Sequence, residues 1–267
     1  MDAVPRAAVP TDAVPTDAHP PLTGFTVALT ADRRWEEQAD LLRWRGATII
    51  HGPTLQTTLL EADEEPVPHW RLPDDRRSAL KMIKSIIDGR VHAITITTVP
   101  AVLNLFAMDH DVRRRDYLLQ ALNREVMVVC GDEVCARAAR EMGVSDPIVA
   151  DGIQAGPLIR VVTEGLSARR LALGPVVLAG TAVLWGESRI DLSDTEAALL
   201  GALARRPGSV LSKVALVGTV WGVGSDPHVV EVTVARLRRR LGNLAGAIEV
   251  VPRRGYRLCL PFLEEAV

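Results

Sequence analysis

Seven arginines, at positions 236, 238, 239, 240, 253, 254 and 257, lie between Glu231 and Arg257 and meet only two acids there, Glu231 and Glu249. The resulting local charge of +5 belongs to a chain of 267 residues whose formal net charge is −2. Guanidinium groups fork onto phosphate oxygens and onto O6 and N7 of guanine, so the cluster predicts a nucleic-acid surface. Arginine also gathers near helix C-termini because it complements the helix dipole. Density therefore leaves two readings, and spacing chooses between them. Little else is arranged for chemistry. Cys130 and Cys135 are five apart with no second ligand pair, and Cys259 stands alone. That pattern predicts neither a zinc site nor a disulfide framework, and the thiols are read as buried. No catalytic residue, metal or cofactor is assigned.

The elements that must position the arginines are legible around them. In "HVVEVTVARLRRRL", His228 to Leu241, set Val230 at zero on a helical wheel: Val234, Leu237 and Leu241 then fall within about 40° of it and form a buried stripe. His228, Val232, Ala235, Arg236 and Arg239 lie opposite, with Arg238 and Arg240 on the flanks. Small residues amid that outer face let a helix settle into a major groove, where valine meets a thymine methyl and arginine a guanine edge. Downstream, "IEVVPRRGYRLCL" is two apolar runs around Pro252, Arg253, Arg254 and Gly255, a hairpin with a basic tip. Upstream, Ser193 and Glu196 form a capping box that opens the helix "DTEAALLGALARR", which stops at Pro207-Gly208. Ser212 can cap a second helix, "KVALVGTVWG", and Asp226-Pro227 opens the arginine helix. A glycine-punctuated meander, "LALGPVVLAGTAVLWGESRIDL", precedes all three. One helix in the major groove with a hairpin wing beside it is a known docking plan.

Residues 22–170 have another rhythm. Five short apolar runs, "FTVALT", "ATIIHG", "HAITITT", "EVMVVC" and "PIVA", alternate with the helical patterns "WEEQADLLRWRG", "RRSALKMIKSIIDG", "PAVLNLFA", "DEVCARAAREMG" and "QAGPLIRVVTEGLSARR". Such alternation predicts a parallel sheet covered by helices, a flavodoxin-like α/β domain. Residues 1–21 nearly repeat Ala-Val-Pro-Thr-Asp and lack the basic start and apolar run of a signal peptide, so they are read as a disordered tail. No apolar run reaches the roughly 18 residues needed to span a bilayer, which predicts a cytoplasmic protein without a membrane partner. Charge divides with the rhythm. Residues 171–267 hold eleven basic and nine acidic side chains, a balance of +2, and the rest hold 20 against 24, a balance of −4.

"LSDTEAALLGALARRPGSVLSKVALVGTVWG", "VVEVTVARLRRRLG" and "IEVVPRRGYRL" resemble the successive blocks of the OmpR/PhoB-type winged-helix domain of bacterial transcription regulators. The resemblance covers essentially all of residues 171–262, within a domain read as 171–267, and implies a four-stranded sheet, three helices and a C-terminal wing that bind double-stranded DNA. By position it implies base contacts from Val232, Thr233 and Arg236. It implies phosphate contacts from Arg239 and Arg240, and wing contacts from Arg254 and Tyr256, to which Arg253 is added by its place at the hairpin tip. His228 stands where an arginine is common in that family and is carried over as a DNA-contact candidate. The receiver domain that usually accompanies such a module needs an acidic pair after its first strand and an aspartate ending its third. Here Asp32 is alone and "HAITITTVP" ends in threonines, so phosphorylation by a sensor kinase is not expected.

The preceding domain is similar instead to uroporphyrinogen-III synthase, through "VALTADRRWEEQADLLRWRGATIIHGPTL", "GRVHAITITTVPAVLNLF" and "VCARAAREMGV". Joined to a winged helix, it looks like the actinobacterial regulators associated with nitrate and nitrite assimilation. The synthase family inserts a second domain after the second strand, and here "PTLQTTLLEADEEPVPHWRLPDD" runs directly on to the next helix. The tyrosine expected near the return crossing is missing, and Asp132-Glu133 replaces Gly-Pro. The inserted lobe is therefore read as lost, and cyclisation of hydroxymethylbilane is not expected; the alternative is a synthase that keeps its activity with a DNA-binding domain appended. A tetrapyrrole or another regulator protein is the implied partner. Thr30, Arg33, Thr97, Thr98 and Gly131 sit where a parallel sheet opens toward ligands, although capping and turn formation explain the same residues and are preferred.

Overall fold

The computed structural model describes residues 18–60, 67–108, 112–222 and 224–259, with the side chains at 59, 60, 67 and 68 left aside. Residues 1–17 of the expected tail lie outside them. Spatial proximity groups 19–170 with 179–182 as one unit, and 171–178 with the residues from 183 onward as another.

In the first unit, β1 (Thr26–Leu29), β2 (Thr48–His51), β5 (Ala93–Ile96), β6 (Met127–Cys130) and β7 (Ile148–Val149) make one sheet in the order β2-β1-β5-β6-β7. All its pairings are parallel. This is the flavodoxin-like order, which reverses direction between β1 and β5. Strands β5 and β6 are buried at every position, as expected of sheets covered on both faces. The helices are α1 (Trp35–Trp44), α2 (Arg77–Ile87), α3 (Val99–Ala107), α4 (Val112–Arg124), α5 (Glu133–Glu141) and α6 (Ala155–Ser167). Helix α2 shows why they form: Ala79, Met82, Ile83 and Ile86 recur at helical spacing and all are buried. Thr98 caps α3 and Asp132 caps α5, each accepting the backbone N–H three residues on. Cys130 and Cys135 are buried beside Ile96, whose carbonyl accepts from Cys135 Sγ at 3.5 Å.

Two parts depart from the sequence reading. Helix α4 is absent from the expected pattern, because arginines at 113, 114 and 115 mask its start; its Leu118 and Leu122 are nevertheless buried at i, i+4 spacing. The run from Pro53 to Asp75, read as a plain crossing, contains an antiparallel hairpin, β3 (Gln56–Leu60) with β4 (Val67–Arg71). Asp32 Oδ2 anchors it by accepting the Thr57 N–H at 2.6 Å.

The second unit begins with β8 (Leu171–Leu173), β9 (Val176–Ala179), β10 (Ala182–Trp185) and β11 (Ser188–Asp191), a four-stranded sheet in the order β11-β10-β9-β8. Three helices follow, α7 (Asp194–Ala204), α8 (Lys213–Val220) and α9 (His228–Leu241), and then the hairpin β12 (Ile248–Val251) with β13 (Gly255–Leu258). Both halves of the capping box at Ser193 and Glu196 are formed. Val230, Val234, Leu237 and Leu241 are each at most 4% exposed and pack with Leu199 and Leu203 of α7, Leu216 of α8 and Ile248 of β12. The hairpin is bridged to the approach of α8, because Leu211 and Tyr256 exchange backbone hydrogen bonds of 2.8 and 3.0 Å. Gly255, at φ +137°, makes this approach possible, since a Cβ there would collide with the Leu211 carbonyl.

Candidate nucleic-acid interface

Helix α9 docks through its apolar stripe, and that docking fixes which way every other side chain faces. Val232 is 37% exposed, and Ala235, Arg236 and Arg239 are exposed beside it. At the wing tip Pro252, Arg253 and Arg254 are exposed, with Arg253 in the left-handed region at φ 61°. Among the described residues, the side chains of Arg236, Arg239, Arg253 and Arg254 have no hydrogen bond or ion pair within the protein. Unpaired, solvated guanidinium groups on one helix face and one hairpin tip suit phosphates and guanine edges.

The other arginines of the cluster are used internally. Arg240 Nε bonds Glu196 Oε2 at 2.9 Å, where the glutamate side chain is only 4% exposed. A second contact runs from the Arg240 guanidinium to the Asp191 carbonyl at 3.3 Å. Arg238 donates through Nε and Nη2 to the Ile248 carbonyl at 3.2 and 2.5 Å. Arg257 pairs across the hairpin with Glu249 at 2.7 Å. Arg240, expected as a phosphate contact, also ties α9 to the start of α7, because a cation there neutralises the buried Glu196 carboxylate.

Two more expected contacts turn inward. Thr233 is 8% exposed, and its hydroxyl donates to the Val229 carbonyl one turn back. Tyr256 is 6% exposed and packs in the core under the wing, because its position in β13 alternates inward. His228 is exposed, with Nδ1 3.0 Å from Glu231 Oε2, and Lys213 Nζ bonds the other carboxylate oxygen. The hydrogen bonds from Lys213 and His228 hold the Glu231 carboxyl below the usual range, and the same contact raises Lys213. A groove of about 530 Å³ adjoins this outer face, lined by Trp221, Thr195 and Asp226 together with Val232 and Arg236. Sequence reasoning missed that groove, because its residues come from three segments that approach only in the fold.

The residues proposed for a ligand in the first unit are each engaged in the fold or set apart from one another in burial. Thr30 is fully buried and its hydroxyl donates to the Thr95 carbonyl at 2.9 Å, cross-linking β1 to β5. Thr98 is spent on the α3 cap, Arg33 is exposed on the α1 approach, and Thr97 is half-buried. Gly131 donates to the Ile96 carbonyl and lies under Ile153, whose side chain a Cβ at 131 would crowd. The switch point between β1 and β5, where such sheets hold ligands, is filled from within. Thr54 lies there at 0% exposure, its N–H donating to Thr30 and its hydroxyl to Ala101, and Leu55 packs into the core behind it.

The family model "Transcriptional regulatory protein, C terminal" matches residues 186–258. Transcriptional regulatory protein CseB of Streptomyces coelicolor is 42% identical over 71 residues, which are 26% of this chain and 30% of that protein. The chain thus spans about a third or less of the CseB length. Transcriptional regulatory protein AfsQ1 of Streptomyces coelicolor is 30% identical over 196 residues, 67% of this chain and 83% of that one. Uroporphyrinogen III synthase from Thermus thermophilus is similar to this chain in structure at 15% identity and a TM-score of 0.46, over 54% of this chain and 99% of that one. By its shared length with AfsQ1 and its matched C-terminal domain, the chain belongs to the family of transcriptional regulatory proteins that end in an OmpR/PhoB-type winged helix.

Proposed function

We propose that the protein is a cytoplasmic, sequence-specific transcription regulator that binds double-stranded DNA through residues 171–267 and carries, in residues 22–170, a catalytically degenerate domain for sensing or interaction. The observation that carries this reading is the sorting of the arginines: 238, 240 and 257 bond to the fold, and 236, 239, 253 and 254 are exposed without partners among the described residues. On this reading Val232 and Arg236 meet base edges in the major groove. Arg239, Arg253 and Arg254 meet phosphate, which positions the helix without reading sequence.

For the first domain, partnership with another regulator protein is favoured over a tetrapyrrole. Thr54, fully buried, bonds across the switch point from Thr30 to Ala101, and Thr30 and Thr98 spend their hydroxyls on the fold, which supports this preference. Selection of genomic fragments bound by the full chain tests the DNA reading, with enrichment of one sequence motif expected and unselective recovery contradicting it. Incubation with hydroxymethylbilane tests the second part. Cyclisation no faster than the spontaneous reaction is expected, and enzymatic turnover would restore the synthase alternative.

A further inference from the structure

Arg238 lies on the flank of α9, beside solvent-facing neighbours in sequence. In the fold it does something separate from them, because both Nε and Nη2 converge on one backbone oxygen, the Ile248 carbonyl, at 3.2 and 2.5 Å. Ile248 is the first residue of β12 and is 1% exposed, so this bond joins the helix to the root of the wing. The covalent route between them is the 3-10 segment Gly242–Ala247, which opens on Gly242 at φ 55° and contains a second glycine at 246. Packing of Ile248 against the α9 stripe and the Cys259 N–H on the Ala247 carbonyl at 2.8 Å hold this root in place, and the Arg238 fork adds the directional bond that sets its angle to the helix. The Leu211–Tyr256 bridge holds β13 against the approach to α8, and it makes no reference to α9.

We propose that Arg238 is a positioning residue for DNA binding, a strut that sets the distance and angle between the helix in the major groove and the arginines of the wing. The proposal rests on the DNA-binding reading above. Its force comes from leverage. Arg253 is five residues beyond Ile248, a reach of roughly 17 Å along an extended strand. A swing of about 10° at the root therefore displaces the tip by roughly 3 Å, and a charge-assisted hydrogen bond to phosphate does not survive that displacement. An arginine that itself touched DNA would add its contact independently of Arg254. A strut cannot, because its whole effect passes through the wing.

A double-mutant cycle on the full chain separates these cases. The affinity for one selected DNA fragment is measured at several salt concentrations for wild type, Arg254→Ala, Arg238→Met and the double variant, each shown by its melt to be folded at the temperature used. Arg254→Ala is expected to weaken wild type by about tenfold and to lower the salt slope by about one. In the Arg238→Met background the same change is expected to weaken binding less than twofold. A full tenfold loss in both backgrounds overturns the strut, and no loss in wild type overturns the wing contact on which it depends. Should Arg238→Met fail to melt cooperatively, Arg238→Lys takes its place, keeping the charge and losing the fork. A cost for Arg254→Ala there at least threefold below its cost in wild type supports the proposal, and an unchanged cost overturns it.

Discussion

Arg236 and Arg240 are one turn apart on the same helix; Arg240 pairs with Glu196 and Arg236 is exposed, and the proposed function gives them opposite work. Replacing Arg240 with alanine leaves the Glu196 carboxylate, 4% exposed as a side chain, with only the Ser193 N–H at 2.8 Å for a partner. Stranding a buried charge costs about 3–5 kcal/mol in the limit. The Arg240 side chain is 49% exposed, so solvent already screens the pair and about 1–2 kcal/mol is the fitting range. In a domain of this size each kcal/mol moves the melting midpoint by about 4–8 °C, so a fall of roughly 5–15 °C is expected for the winged-helix transition. Replacing Arg236, which has no partner among the described residues, should leave the melt unchanged. It should instead cost about 1–3 kcal/mol in binding to the selected site, roughly 5- to 150-fold. Calorimetry with fluorescence anisotropy titration on the same samples gives both numbers. If Arg240→Ala melts like wild type and loses DNA, or Arg236→Ala binds normally and melts early, the sorting of the arginines is wrong.

Three further outcomes follow from other contacts. Burial, with Arg169 nearby, pushes His92 down to about 4 from an ordinary 6.5, and its Nδ1 accepts the Thr26 N–H at 3.0 Å. The neutral ring thus stabilises the fold fully above pH 6.5, and up to about 3 kcal/mol is lost as pH falls from 6.5 through 4, because the unfolded chain takes up the proton first. Melts of wild type across that window should fall more steeply than those of His92→Asn, which keeps an acceptor for Thr26 and cannot charge; parallel curves would refute the assignment. Gly255→Ala should force the hairpin off Leu211, lowering both the melting midpoint and DNA affinity, and a variant that matches wild type in both would show that the approach is looser than the structure has it. Thr54→Val, isosteric but without the hydroxyl bonded to Ala101, should destabilise the first unit by about 0.5–1.5 kcal/mol in denaturant melts, the net worth of one hydrogen bond to a carbonyl that keeps its partner within α3. No change would mean that Thr54 does not seal the switch point.

Most of the scaffold is legible in the sequence because it rests on local rules. The wheel places Val230, Val234, Leu237 and Leu241 inside, and the structure buries all four. Ser193, Ser212 and Thr98 stand at helix starts as capping chemistry predicts. What escapes is non-local. Nothing near Arg240 in sequence reveals Glu196, 44 positions away, and nothing near Arg238 reveals the Ile248 carbonyl, so both look like solvent-facing cations. Thr233 lies near the edge of the apolar stripe, where a wheel cannot decide burial, and the motif around Tyr256 draws attention away from its strand alternation. In the first unit the residues at the carboxyl edge are identified by position alone, and position does not foretell that Thr54 occupies the space they were expected to share. Helix α4 has a readable signal in Leu118 and Leu122, obscured by three consecutive arginines.

The central claim, that residues 171–267 read DNA sequence through the outward face of α9, is tested most directly by the specificity ratio. The affinity of the full chain for a selected fragment is compared with that for a shuffled one of equal length and composition at fixed salt. A ratio of at least about 10³ is expected for wild type, the usual range for specific binders, falling by roughly 5- to 150-fold in Arg236→Ala through weaker binding to the selected fragment alone. Equal affinity for the two fragments, or a ratio that Arg236→Ala leaves untouched, would contradict the account.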